Sequence, residues 1–256
     1  MNKLSSIEKN KLIPQEEVLE LKSSKLDLFI GLPKEKTFQE NRIAIVPEAV
    51  QLLVNNGHTV LIESGYGDNA NFSDHEFSEA GAKVIYDTKE IYQADIIMKV
   101  EPPTLEEVDM MKGRQILISA LQITTQNKEY INKLLSKKIT ALAFEYIQDE
   151  LGIATIMRSM GEIAGNTSLL IASEYLSNIN NGKGLMLGGV SGVSPTEVVI
   201  VGAGTVGEFA TRAAIGLGAS VKVFDNSLSK LRRLQNDIQN RLFTSVIQPK
   251  VLLKSL

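Results

Sequence analysis

The sequence predicts a two-domain α/β protein, in which a parallel α/β domain is followed by a second α/β unit opening on a glycine-rich turn. Three observations carry this. Apolar runs of a few residues alternate with helical segments across residues 28–144, the pattern of a parallel sheet covered by crossover helices. A β-branched run at 198–201 passes directly into GAGTVG. The chain has 256 residues, enough for about two domains.

The elements follow in order. LFIGL at 28–32 reads as the first strand, and Pro47 starts a helix that runs to Asn55 because proline suits the first helical position. TVLIE at 59–63, KVIY at 83–86, DIIMKV at 95–100, QILISAL at 115–121 and ITALAF at 139–144 are further strands, being apolar runs suited to burial on both faces. Helices are expected between them at 73–80, near Lys89, at 104–111 and at 125–136. Residues 159–177 carry apolar side chains at helical spacing and link the domains, and the glycine-rich stretch 182–195 leads into the next strand. The first 26 residues are polar and lysine-rich, with a short helix at 14–23 begun by PQEE; they form an extension that docks on a neighbour or stays mobile. The expected organisation is therefore an extension at 1–26, a first domain at 27–158 and a second at 159–256.

Composition narrows the class. Hydrophobic residues make up 43% and charged residues 22%, as in globular proteins. A net charge of −3 gives no general attraction to nucleic acid or anionic membranes. There is no cysteine, hence no disulfide framework and no thiol nucleophile, which fits a reducing compartment. The N-terminus lacks the apolar core of a signal peptide, and no run of about 18 apolar residues occurs. The expected location is the cytoplasm, without membrane insertion. No metal site is expected.

The glycine turn carries the strongest chemistry. Gly202 allows a tight exit from the strand, Gly204 lets backbone approach a pyrophosphate, and Gly207 lets the following helix pack on the sheet. That helix begins at Thr205 and Val206 and runs to about Gly216, presenting its free N–H groups and positive dipole end to phosphate. A second strand at 220–224 ends at Asp225, 18 residues past Gly207, close to the ~20 of the acid that binds ribose hydroxyls. Strand, loop, helix, second strand and terminal acid together specify a Rossmann-like NAD-binding domain. The carboxylate favours NAD because it repels a 2′-phosphate.

The first domain offers two cations. Arg42 precedes an apolar stretch and the proline-started helix, and its guanidinium fork suits a carboxylate; a plain surface arginine is the alternative. Lys99 ends the strand DIIMK at the edge where open α/β sheets bind ligands. Among Ile97, Met98 and Val100 it needs an anionic or carbonyl partner, or else it snorkels at the rim.

At this point a family resemblance is on the page. GLPKE, NRIAIVP, NNGHTVLIESGYGDNANFSD, IIMKVEPP, TALAFE, MGEIAG, LGGVSGVSP and VVIVGAGTVG run in the order seen in alanine dehydrogenases and the NAD-binding subunit of proton-pumping transhydrogenase. The chain resembles that family over about residues 28–256. The resemblance implies that Arg42 binds the substrate carboxylate, that Lys99 contacts the substrate carboxylate or carbonyl, and that the protein forms a homo-oligomer.

Two positions depart from the family pattern. Its catalytic histidine falls at Gln122, whose amide cannot exchange a proton near neutral pH, so either water or Lys99 takes over the proton or this branch does different chemistry. The serine of the family's MSEVAG is Gly161. His58 and His75 read as bland surface residues. After Asp225 only a helix at 228–240, the strand TSVIQ and the beginning of another helix are expected, so the second domain reads as C-terminally truncated and this fragment alone as inactive.

Three classes of function stay open. The leading one is reversible oxidative deamination of L-alanine to pyruvate, ammonia and NADH, with Lys99 and Gln122 at the catalytic positions. The second is the NAD(H)-binding subunit of a membrane transhydrogenase. The third is a fragment that binds nucleotide without catalysis.

Overall fold

The structure, a computed structural model, describes residues 27–238 and 241–255. The helix expected at 14–23 lies outside the described residues. The chain divides into two compact units: the described part of Met1–Ser119 with Asn127–Ala141, and Ala120–Gln126 with the described part of Leu142–Leu256.

The first unit is built on β1 (Phe29–Leu32), β2 (Thr59–Glu63), β3 (Lys83–Ile85), β4 (Ile96–Met98), β5 (Ile116–Ser119) and β6 (Thr140–Ala143). They lie in the order β3-β2-β1-β4-β5-β6, and β1 pairs in parallel with both β2 and β4. The intervening helices are α1 (Pro47–Asn55), α2 (Asp74–Glu79), α3 (Thr88–Ile91), α4 (Leu105–Met110) and α5 (Lys128–Ser136). Ser73 and Thr104 start α2 and α4 through capping boxes with Glu76 and Glu107, which satisfy two free donors at each helix end. The fifth helix begins at Lys128 rather than 125, because the Asn127 side chain accepts the Tyr130 N–H at 2.8 Å and fixes the helix start there. The core gathers Ile30, Leu32, Val50, Val60, Ile62 and Phe77.

This strand order has a functional consequence. The chain steps outward from β1 in one direction and from β4 in the other, so the order reverses between these two neighbours. Ligands of open α/β sheets bind at such a switch point, outside the carboxyl ends of the strands. The segment holding Glu35, Glu40 and Arg42 follows β1, and Lys99 follows β4.

The second unit contains α6 (Thr155–Leu176), β7 (Glu197–Val201), α7 (Thr205–Gly216), β8 (Ser220–Phe224), α8 (Leu228–Asp237), β9 (Phe243–Ser245) and α9 (Pro249–Leu253). Strands β7, β8 and β9 form a parallel sheet in that order. The long helix starts four residues before the expected 159, its first turns braced by Arg158, whose Nε donates to Glu162 at 3.0 Å. Helix α8 stops at Asp237, not 240, because buried Ile238 turns to extended backbone. The last strand is Phe243–Ser245 in place of TSVIQ. Helices α6 and α7 approach closely at Gly165, where a Cβ would stand 2.5 Å from the Val206 carbonyl oxygen and 2.9 Å from the Ala210 nitrogen. Any larger residue there must push the two helices apart. Among the described residues, no helix is long and apolar enough to cross a membrane.

Candidate functional site

In the second unit the chain leaves β7 through Gly202, whose φ of +114° is open only to glycine at low cost. At Gly207 a Cβ would lie 1.9 Å from the Gly202 carbonyl oxygen, so the helix packs onto the strand end only with glycine there. Gly202 and Gly204 differ: a Cβ on either meets no heavy atom within 4 Å. Space therefore lies outside the loop where a phosphate group would rest. The N-cap of α7 is Gly204, with no side-chain cap, and the first bond of the helix runs from the Glu208 N–H to the Gly204 carbonyl at 2.9 Å. The N–H groups of Thr205, Val206 and Gly207 thus have no partner inside the helix.

Asp225, at the end of β8, accepts the Ala203 N–H on Oδ2 and the Ser227 N–H on Oδ1, both at 2.7 Å. These two bonds, Ala203 first, hold its carboxyl below the usual range. A carboxylate has about four lone-pair sites, which leaves acceptor capacity for hydroxyls. Open space beside Gly202 and Gly204, an uncapped helix start and an ionised acid with spare lone pairs fit a dinucleotide. Gly161 faces this turn from α6, with its Cβ direction 3.2 Å from Thr205.

In the first unit, Lys99 is buried, only 3% exposed. Its Nζ donates to Glu107 Oε2 at 2.9 Å and stands 3.7 Å from Glu35 Oε2. Glu107 and Glu35 are buried too. Burial pushes the Glu107 carboxyl up, but the Lys99 ammonium and the Thr104 N–H outweigh it, and the net shift is downward. At Glu35 burial wins over the more distant Lys99, and the carboxyl is raised. Arg42, with its side chain half exposed, is held by Glu40: Nε and Nη2 donate to the two carboxylate oxygens at 2.8 and 2.5 Å. That bond, opposed by partial burial, holds the Glu40 carboxyl down. Arg42 and Lys99 both feel the Glu35 charge, so one acidic neighbourhood joins them.

Gln122 belongs to the second unit. Its φ of +47° is uncommon for a residue with a Cβ, and the Leu121 and Gln122 N–H groups donate to Glu145 at 3.2 and 2.8 Å. His75 is exposed beside Glu79, and His58 is half-buried at the start of β2. Among the described residues, no group of three or more histidine and carboxylate side chains is placed to hold a metal ion. The glutamates at 35, 40, 107 and 145 were not marked as site residues from sequence. Only the capping-box spacing from Thr104 to Glu107 was readable there, and it does not reveal Lys99 as the partner.

Comparison with known proteins accounts for both units. Residues 31–164 match the alanine dehydrogenase/PNT N-terminal domain and residues 168–256 the alanine dehydrogenase/PNT C-terminal domain. The chain belongs to the alanine dehydrogenase/PNT family. Family members include the alanine dehydrogenase of Methanococcus maripaludis, 39% identical over 85% of this chain and 58% of that protein, and the alanine dehydrogenase of Bacillus subtilis, 35% identical over 87% and 58%. A solved L-alanine dehydrogenase superposes with a TM-score of 0.79 at 33% identity, covering 89% of this chain and 63% of the other. A transhydrogenase from Sinorhizobium meliloti shares the fold, with a TM-score of 0.71 at 22% identity over 88% of this chain and 66% of the other. The chain thus spans less than two thirds of the length of these family members.

Proposed function

We propose that the protein is an NAD-dependent oxidoreductase of the alanine dehydrogenase type, interconverting L-alanine, NAD and water with pyruvate, ammonia and NADH. One observation carries the reading: Arg42 and Lys99 leave adjacent strands at the switch point of the first sheet, a cationic pair suited to a small carboxylate. The alanine dehydrogenases among its relatives support it.

Bound NAD supplies the hydride acceptor. The N–H groups at the start of α7 hold the pyrophosphate, and Asp225 accepts the ribose hydroxyls. The Arg42 fork takes the substrate carboxylate and Lys99 the carboxylate or carbonyl. Gln122 orients a carbonyl or a water but carries no proton. We further place the protein in the cytoplasm as a homo-oligomer.

The assay is alanine-dependent NADH formation across pH, with Arg42→Met as control. Turnover in the full-length wild-type protein that is lost with Arg42→Met supports the reading; no turnover of the full-length protein at any pH removes it. The alternative is an NAD(H)-binding transhydrogenase subunit, and Gln122 favours it, because hydride passed between nucleotides needs no side chain to take a proton. NADH-dependent reduction of an NADP analogue with a membrane partner, without alanine turnover, selects it.

A further inference from the structure

The ionisable groups around Lys99 do not balance. Glu35, Glu40, Glu101 and Glu107 face Lys99, Arg42 and the more distant Lys36, whose Nζ stands 3.9 Å from Glu107 Oε1. Four carboxylates meet three cations, with Tyr66 and Tyr92 as the remaining titratable neighbours of Glu35. One proton neutralises the set.

Geometry decides which of the carboxylates, ionised at rest, takes up that proton. Glu107 is committed as an anion: its Oε2 accepts both the Lys99 ammonium and the Thr104 N–H at 2.9 Å. Glu40 is engaged by the Arg42 fork. Glu35 and Glu107 each keep one buried oxygen without a hydrogen-bond partner, but the bare oxygen of Glu107 faces Lys36, whereas that of Glu35 faces Lys99 itself. Its Oε1 accepts the Val100 N–H at 2.6 Å. Its Oε2 is buried without a hydrogen-bond partner, 3.7 Å from Lys99 Nζ, and the side chain is 4% exposed. A bare buried carboxylate oxygen is costly, and a proton on it removes most of that cost. Closing the gap to a charge-assisted bond takes a movement of about 1 Å.

We propose that Glu35 is the proton-exchanging partner of Lys99, taking a proton from the Lys99 ammonium on Oε2 and returning it. In the forward step a Lys99 N–H bond breaks and a Glu35 O–H bond forms, leaving a neutral amine and a neutral carboxyl. The amine lone pair then takes a proton from the ammonium of the bound amino acid, which leaves substrate amine and Lys99 ammonium. Glu35 touches no substrate; it positions and recharges Lys99. This role rests on the alanine dehydrogenase reading above, and it supplies the proton acceptor that Gln122 does not.

The exchange itself is testable without substrate. The carboxyl C=O band of Glu35 is isolated by infrared titration of the protein, wild type minus Glu35→Gln, and repeated in a Lys99→Met background and a Lys99→Arg background that retains the cation. The expected midpoint lies at least about one pH unit above that of exposed glutamates, a tenfold shift in the proton equilibrium, and moves higher with Lys99→Met. Titration together with the exposed glutamates, or a midpoint indifferent to Lys99→Met, overturns the proposal. Kinetics add a second readout. Glu35→Gln and Lys99→Arg are expected to lower kcat at least tenfold and flatten its pH profile, with partial rescue by Glu35→Asp; an unchanged kcat and profile in Glu35→Gln overturns the role. Absence of alanine turnover in the full-length wild-type protein removes the alanine dehydrogenase reading instead, and the infrared titration still decides the exchange.

Discussion

Asp225 accepts the backbone N–H of Ala203 at 2.7 Å, so the acid at the end of β8 also braces the glycine loop at the end of β7. The same carboxylate holds Ser227, at the N-cap of α8. One side chain thereby ties the glycine loop and the start of α8 to the end of β8.

The first prediction concerns acid stability. The carboxyl of Asp225 is held low by its two backbone donors, so it contributes stability that is present above its unfolded pKa of about 3.9 and lost as pH falls through the folded value. Asp225→Asn is expected to lower Tm at neutral pH, with the gap from wild type narrowing below about pH 4. A gap that stays constant down to pH 2 contradicts this.

Cofactor choice depends on the same residue. NADH is expected to bind at least about tenfold more tightly than NADPH, about 1.4 kcal/mol, if the carboxylate takes the proposed role of accepting ribose hydroxyls and repelling a phosphate. Equal affinities in a fluorescence titration remove Asp225 from that role.

Two glycines of one loop are expected to respond oppositely. Gly207→Ala drives a Cβ against the Gly202 carbonyl and should cost about 1–3 kcal/mol or more in folding. Gly204→Ala meets open space, costs under about 1 kcal/mol as a poorer N-cap, and weakens NADH binding. Thermal melts and NADH titrations of the pair separate packing from ligand contact; a Gly204 variant that binds normally argues against phosphate seating there.

The cations of the first unit make a similar contrast. Arg42→Met is expected to weaken pyruvate binding and leave NADH affinity nearly unchanged, with a modest loss of stability because the guanidinium is half exposed. Lys99→Met strands a buried anion at Glu107 and should cost about 3–5 kcal/mol as well as pyruvate affinity. Normal pyruvate kinetics in Arg42→Met remove it from substrate binding.

Under the proposed function, the side chain at position 122 is expected to limit the rate. A positioned general base contributes about 10²–10⁴-fold, and glutamine supplies none of it. Alanine turnover by the full-length wild-type protein is expected to be slow and to rise at alkaline pH, and Gln122→His to accelerate it. If neither protein forms alanine-dependent NADH at any pH, the nucleotide-handling readings replace the dehydrogenase.

The strands and the nucleotide loop were legible because their signals are local. A β-branched run and glycines at fixed offsets determine the turn at Gly202 and the packing at Gly207 with little help from distant residues. Element ends were less so: Asn127 moved the start of α5 and Ile238 the end of α8, each through a single side chain whose role depends on what it meets. The partners of Lys99 were hidden for a stronger reason. Glu35 and Glu107 lie 64 residues before it and eight after it, and only the strand order β1 beside β4 brings the first of them to the lysine. Alternation in DIIMKV shows that a lysine is buried or at a rim; it cannot show that two carboxylates of different character await it.

The contact at Gly165 has a mechanical consequence. With no room for a side chain between the α6 backbone at that point and the Val206 carbonyl, the long helix has no slack against the first turn of α7, beside the candidate nucleotide loop. Gly165 lies at the middle of the 22-residue α6, with an arm of about 15 Å to either end, so a tilt at this contact moves both ends of the helix in opposite directions.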